Sequence, residues 1–396
     1  MNDNRSRSVH DEQDLDWYVE DLIERGIRRV HVFAWRDLDD PDAGGSEVHA
    51  DEFMRRWADR GLEVMHRTSS AAGLAATDRR NGYEVIRRGS RYSVFPRAVA
   101  AELTRRMGSA DAVVEIWNGV PWFSPVWCRR PHITMLHHVH GPMWGQILPG
   151  PLAAVGRTLE TRIAPPFYRG DMTVTPSDAT RDELLEIGFR PDRVVAVPNG
   201  VDSFFSTGGT KTTDPSIVAV GRLAPVKRFD LVIDAAVEAR RRVPNLTVSI
   251  IGEGPLRGEL QHHIDRVDAR SWIELVGWVD RHALVDHYRR AWLVVSGSLA
   301  EGWGLSLTEG AACGTPAVAT DIRGHRSSVV DGVTGLLVPE HQLGAAIADV
   351  MHDDQLRTAL TGAALERART LTWDASALGL TKCLHGEVVA SRPRHG

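Results

Sequence analysis

Three short stretches follow one another in the middle of the chain: STGGTKTTDPS (Ser206–Ser216), IVAV (Ile217–Val220) and GRLAPVK (Gly221–Lys227). The first is rich in Gly, Ser and Thr, holds a proline and lacks apolar periodicity, so it reads as a linker. The second is a short β-branched run that reads as a buried strand. Outward from this point the same alternation of strand and helix fills both halves. Upstream, strands are expected at Arg29–Trp35, Leu62–Thr68, Tyr83–Arg88, Ala112–Trp117, His132–His138, Met172–Pro176 and Val194–Pro198. Downstream they are expected at Ile217–Val220, Leu246–Ile251, Trp272–Val276, Leu293–Ser296, Ala317–Thr320 and Leu336–Val338. Ser46–Arg60 carries Ala50, Phe53, Met54 and Trp57 at helical spacing, and Gly61 stops it. Such alternation predicts an α/β protein with parallel sheets flanked by helices. The predicted order is a first domain over 1–205, a linker over 206–216 and a second domain over 217–371. A tail over 372–396 starts near Trp373, an aromatic anchor suited to docking on the first domain. Doubly wound sheets bind ligands at the C-terminal ends of their strands, so the loops there should carry the chemistry.

Composition bounds the function. At roughly 150 residues per domain, a chain of 396 residues holds two or three domains. A net charge of −5 argues against general nucleic-acid binding. Cys128, Cys313 and Cys383 form no CxxC pair, which disfavours a disulfide framework or a thiolate zinc site. No apolar run approaches the ~20 residues of a membrane span, and Met1–Glu20 is too polar and acidic for a secretory signal. A cytoplasmic protein is expected. Lysine occurs only at Lys211, Lys227 and Lys382, a bias toward arginine that genomic base composition explains. Lys227 is the one lysine in a predicted site loop.

Five loops could carry chemistry. Asp42-Ala-Gly-Gly-Ser-Glu47 opens the first long helix, where Gly44 and Gly45 let backbone approach an anion; an ordinary turn with a Ser46 cap is the rival reading. In GRLAPVK, Arg222 offers a planar fork and Lys227 a compact charge, a pairing suited to phosphate. Gly252-Glu-Gly-Pro-Leu-Arg-Gly258 matches a dinucleotide pattern, but it follows the second strand of its domain and contains Pro255. No strand-end acid follows at the required distance, so a tight turn is the better reading there. Ala300-Glu-Gly-Trp-Gly-Leu-Ser-Leu-Thr-Glu309 places Glu301 in a loop and Glu309 in the following helix. Gly302, Trp303, Gly304 and Leu305 lie between them, giving backbone and a helix N-terminus to a ligand. Two carboxylates so placed suit the binding of vicinal hydroxyls. The fifth loop, Leu136-His-His-Val-His-Gly141, lacks the spacing of a metal cage; one histidine, His137 or His138, is expected to face the ligand. The run Arg79–Arg106 reads as a solvated arginine face, with an acidic acceptor or an anionic membrane surface as the rival.

Taken in order, GGSE, GRLAPVK, GEGP, EGWGLSLTE with its Glu-x7-Glu, and PNGVD resemble the retaining glycosyltransferases of family 4 from about Val30 to Pro339. The resemblance implies the GT-B fold, two Rossmann-like doubly wound parallel-sheet domains facing a cleft. It implies that Arg222 and Lys227 grip the diphosphate of a UDP- or GDP-type sugar donor. Glu309 would bind the ribose and Glu301 the transferred sugar, with Gly302, Trp303, Gly304 and Leu305 alongside. Gly44 and Gly45 would close over the phosphates, and His137, with His138 as rival, would hydrogen-bond the donor sugar. The implied reaction is metal-independent transfer to a hydroxyl acceptor from the face the diphosphate leaves, with a donor phosphate oxygen as base. No cofactor and no bound metal are implied. The acceptor, whether small molecule, glycan or lipid-linked, is not readable, and peripheral membrane contact stays open. The alternatives are a sugar-nucleotide epimerase or hydrolase on the same fold and a catalytically silent binding subunit; an NAD dehydrogenase is disfavoured by the Gly252 loop.

Overall fold

A computed structural model describes residues 14–391. The first residues of the acidic N-terminal stretch and the last of the tail lie outside the described residues. The chain forms two α/β units, one from residues 14–144, 149–200 and 373–391, the other from 145–148 and 201–372.

The first unit is built on β1 (Arg29–Phe33), β2 (Glu63–Thr68), β3 (Thr77–Arg80), β4 (Tyr83–Arg87), β5 (Ala112–Trp117), β6 (His132–Leu136), β7 (Met172–Thr175) and β8 (Val194–Ala196). Their order in the sheet is β3-β4-β2-β1-β5-β6-β7-β8, parallel except for β3, which runs antiparallel to β4. The sequence reading omits β3. Its residues, TDRR, are almost all exposed and show no alternation, so only pairing with β4 makes them a strand. β5 is buried along its whole length, as a central parallel strand covered on both faces requires. The helix Gly45–Asp59 presents Ala50, Phe53, Met54 and Trp57 to the core. The helix Trp373–Ser391 packs beside it: Trp57 Nε1 donates to Thr381 Oγ1 at 2.7 Å and Arg193 pairs with Glu387 at 2.8 Å.

The second unit holds β9 (Ser216–Val220), β10 (Thr247–Ile251), β11 (Ile273–Gly277), β12 (Leu293–Ser296), β13 (Ala317–Thr320) and β14 (Gly335–Val338). The order β11-β10-β9-β12-β13-β14 is all parallel and reverses direction between β9 and β12. That reversal is the switch point at which open sheets of this kind leave a crevice for ligand. Segment 206–216, read as a linker, is fastened to this unit. Lys211 Nζ donates to Ala291 O at 2.7 Å and Thr315 Oγ1 at 2.6 Å, and Arg289 Nε donates to Ser206 O at 2.7 Å. Burial pushes the Lys211 ammonium down to about 8. Small polar residues read as flexible in sequence, but here their backbone and hydroxyl groups are consumed by neighbouring strands.

Candidate functional site

The two loops at the switch point of the second unit leave β9 and β12. The β9 loop is shaped by the GEGP turn below it. Gly221 N donates to Ile251 O at 3.0 Å, Leu223 N to Glu253 O at 2.9 Å, and Leu256 N to Leu223 O at 3.1 Å. A Cβ on Gly252 would lie 2.0 Å from Gly221 O, and one on Gly254 would lie 2.5 Å from Leu223 O. The glycines therefore exist to let one backbone lie on another, which refines the tight-turn reading and accounts for the dinucleotide-like spacing without a dinucleotide. With Leu223 buried as the anchor, Arg222 is exposed and Lys227 sits half-buried at the end of the loop.

Lys227 Nζ donates to Glu301 Oε1 at 2.5 Å, and Ser298 Oγ donates to the same oxygen at 2.8 Å. Burial alone would raise the Glu301 carboxyl, but the Lys227 charge, His325 and these hydrogen bonds hold it below its ordinary value. Beyond Glu301 the chain turns through Gly302 and Trp303. The Trp303 indole is buried, so only its backbone faces outward. Gly304, at φ +93°, takes the left-handed conformation that starts the helix Leu305–Ala312, whose first amides have no partner within the helix. Glu309 lies one turn further along this helix. Its Oε2 accepts from Tyr288 OH at 2.9 Å; burial raises its carboxyl, Asp202 adds to this, and Tyr288, Arg281 and Lys227 oppose it. The sequence reading missed Tyr288, Ser298 and His325. Tyr288 and His325 come from two other helices, and no spacing in the chain links them to the two glutamates; Ser298 lies three residues before Glu301 in the same loop. His325 is held by its ring nitrogens, Nδ1 to Thr320 O at 2.7 Å and Nε2 to Ser296 Oγ at 3.1 Å.

In the first unit, Gly44 rather than Ser46 is the N-cap of the helix Gly45–Asp59. Glu47 Oε2 accepts from Gly44 N at 2.7 Å, the returning half of a capping box; glycine has no side chain to supply the other half. The loop before it is tied down by arginines of the run expected to be solvated. Arg87 makes bonds of 2.8 and 2.9 Å to Asp37, 2.8 Å to Asp39 and 3.3 Å to Asp78. Arg80 pairs with Asp39 and Asp51, and Arg91 with Asp42. For Arg80 and Arg87 the solvated-face reading is corrected, because acids distant in sequence fold against them, whereas Arg91 keeps an exposed side chain.

Strand alternation separates the two histidines after β6. His137 is buried and shares a hydrogen bond of 3.2 Å from its Nε2 to His49 Nδ1, while His49 Nε2 meets Ser376 Oγ at 3.1 Å. His137 Nδ1 has no hydrogen-bond partner among the described residues. His138 is half-buried and lies against His140, ring centres 4.4 Å apart; Glu160 holds His140 in turn. Among the described residues no three His, Cys, Asp or Glu side chains are grouped to hold a metal ion. Burial, then His138, lowers His137 to about 3; burial, then His137, lowers His49 well below its usual value; and burial lowers His66 to about 4. The unfolded chain takes up protons below pH ~6.5 that the folded one refuses, so stability falls as pH drops from there toward 4. Each such proton contributes a slope of about 1.4 kcal/mol per pH unit. Urea unfolding of His137→Asn at a series of pH values should show the slope reduced by one proton.

Comparison with known proteins gives these features a family. Residues 43–203 match the family model described as Glycosyltransferase Family 4, and residues 202–367 match the one described as Glycosyl transferases group 1. A D-inositol 3-phosphate glycosyltransferase of Kribbella flavida is 30% identical, covering 90% of this chain and 95% of that one. Its counterpart in Frankia alni is 34% identical over 86% of this chain and 94% of that protein. Among solved structures, sucrose-phosphate synthase from Thermosynechococcus elongatus superposes with a TM-score of 0.77 at 18% identity, covering 92% of this chain and 100% of that one. Anabaena HepE in complex with UDP-glucose gives 0.70 at 17% identity, over 92% of this chain and 100% of that one. The chain therefore belongs to the family 4 glycosyltransferases and carries their GT-B fold of two α/β units.

Proposed function

We propose that this glycosyltransferase moves a sugar from a nucleoside diphosphate sugar to a hydroxyl acceptor with retention at the anomeric carbon and without a bound metal. The observation that carries the reading is the Lys227–Glu301 pair beside Glu309, set at the C-terminal edge of β9 and β12. Arg222 and Lys227 take the donor diphosphate and offset the charge that grows on it as the sugar leaves. When phosphate oxygens draw Lys227 away, the Glu301 carboxylate is released to accept from sugar hydroxyls. Glu309, held by Tyr288, accepts from the ribose, and the first amides of the helix Leu305–Ala312 face the phosphates. The acceptor oxygen bonds to the anomeric carbon on the face from which the diphosphate oxygen departs, and its proton passes to a phosphate oxygen. We assign His137 Nδ1, a buried ring nitrogen without a hydrogen-bond partner among the described residues, to a donor-sugar hydroxyl. The UDP-glucose complex of HepE favours a UDP-sugar as the donor, and the names of the relatives favour a phosphorylated polyol among acceptors to try first.

Titration calorimetry with UDP- and GDP-sugars tests the donor half. Glu309→Gln should weaken nucleotide binding roughly 10- to 100-fold, the loss of hydrogen bonds to a charged acceptor. A variant that binds as tightly as the wild type, or a wild type that binds no sugar nucleotide, sinks the reading. NMR of the product should show the donor's anomeric configuration, and a chelator should leave the rate unchanged. Full-rate release of nucleoside diphosphate with no acceptor present would favour a hydrolase or epimerase instead.

A further inference from the structure

In the first unit, the helix Gly150–Thr158, the π-helical turn Leu159–Ile163 and the helix Pro165–Tyr168 follow one another along the surface. Their inner side is built of Ala153, Gly156, Ala164 and Tyr168, all buried, and a Cβ on Gly156 would lie 2.7 Å from the Trp144 ring. Four larger apolar residues point the other way. Leu152 is 55% exposed, Val155 63%, Ile163 49% and Phe167 50%. A surface helix ordinarily turns its large apolar residues inward, so this outward stripe is unpartnered. It continues onto the neighbouring turn, where Phe123 meets Phe167 edge-on at 5.5 Å.

Charge along the same stretch is one-sided. Arg157, Arg162 and Arg169 are exposed, whereas the one acid between residues 141 and 170, Glu160, is fully buried. Its two oxygens accept from His140 N at 2.9 Å, Gly141 N at 3.0 Å and Trp144 Nε1 at 2.9 Å. In a chain of net charge −5, the exposed charges of residues 141–170 are thus all cations. A second copy of the same face would set arginine against arginine, which disfavours a symmetric dimer there. No helix among the described residues is long and apolar enough to cross a membrane.

We infer that this face docks on the surface of an anionic lipid bilayer, the apolar stripe entering the headgroup boundary and the arginines pairing with lipid phosphates. The inference does not depend on the sugar-transfer reading. The test is co-sedimentation of the full chain with vesicles of phosphatidylglycerol and phosphatidylcholine in equal parts, compared with phosphatidylcholine alone. Partition should favour the anionic vesicles by ~100-fold, the effect of three cations near an anionic surface, and should fall with salt. Val155→Glu with Phe167→Glu should abolish pelleting, as should the charge reversal of Arg157, Arg162 and Arg169 to Glu, with thermal unfolding unchanged because these side chains are exposed. Arg242→Glu, on the second unit, should leave binding intact. A solvatochromic label on Val155→Cys, feasible because the three native cysteines are buried, should shift to the blue on anionic vesicles. No pelleting, equal pelleting with both vesicle types, an unshifted label, or binding indifferent to the face variants would overturn the inference. Concentration-dependent self-association lost in Phe167→Glu would instead assign the face to a second copy.

Discussion

Lys227→Ala should lower kcat/KM by about a hundred- to a thousandfold, the scale set by removing one preorganised group that meets charge developing in a transition state. The variant loses the cation that our reading places on the leaving diphosphate. It also strands Glu301, whose carboxyl is kept below its ordinary value against burial mainly by the Lys227 charge. Without Lys227, burial dominates and the Glu301 carboxyl rises. Residual activity of the variant should therefore carry an acid limb displaced to higher pH than in the wild type, which a pH–rate profile reads directly. If Lys227 served only to hold its loop, Lys227→Met would keep the wild-type rate. Glu301→Gln supplies the second leg of the cycle: the Lys227–Glu301 bond at 2.5 Å couples the two sites, so the double variant should lose less than the product of the two single losses.

The largest stability effect is expected from Arg87→Met in the first unit, at about 3–5 kcal/mol, the cost of removing one partner from a buried ion pair. Arg87 is 1% exposed, and Asp37, its bidentate partner, is 2% exposed. Burial pushes the Asp37 carboxyl up, but the Arg87 hydrogen bond and charge bring it below the usual range. In the wild type that depressed value adds stability above about pH 3.9, which is lost as pH falls through the folded value. In the variant Asp37 is buried without its cation and favours the protonated form, so the deficit should shrink as pH is lowered toward 5. Urea denaturation at pH 7.5 and pH 5, as order-of-magnitude settings within the stable range, measures both effects. An unchanged midpoint at the higher pH would show that Asp37 and Asp39 find other partners.

Much of the site was legible because strand and loop are written locally. IVAV followed by GRLAPVK, and LVVS followed by EGWGLSLTE, place Arg222, Lys227, Glu301 and Glu309 just beyond parallel strands with no knowledge of the rest. What escaped comes from side chains that meet across sequence distance. Tyr288 under Glu309, His325 beside Glu301, and His49 against His137 have no motif of their own. The strand Thr77–Arg80 escaped for the same reason, since its polar residues become a strand only by pairing with β4.

By itself the sequence determined the α/β alternation, the family and the loops to which we assign the chemistry, because hydrophobic period and turn residues act over a few positions. Only the tertiary structure decided how those groups are charged and what they touch. Burial and neighbouring charge, which lower Glu301 and raise Glu309 on one short loop and helix, depend on atoms brought from other strands. The arginines divide on the same ground: Arg87 is consumed by acids folded against it, while Arg157, Arg162 and Arg169 stay exposed and Glu160 among them is turned inward.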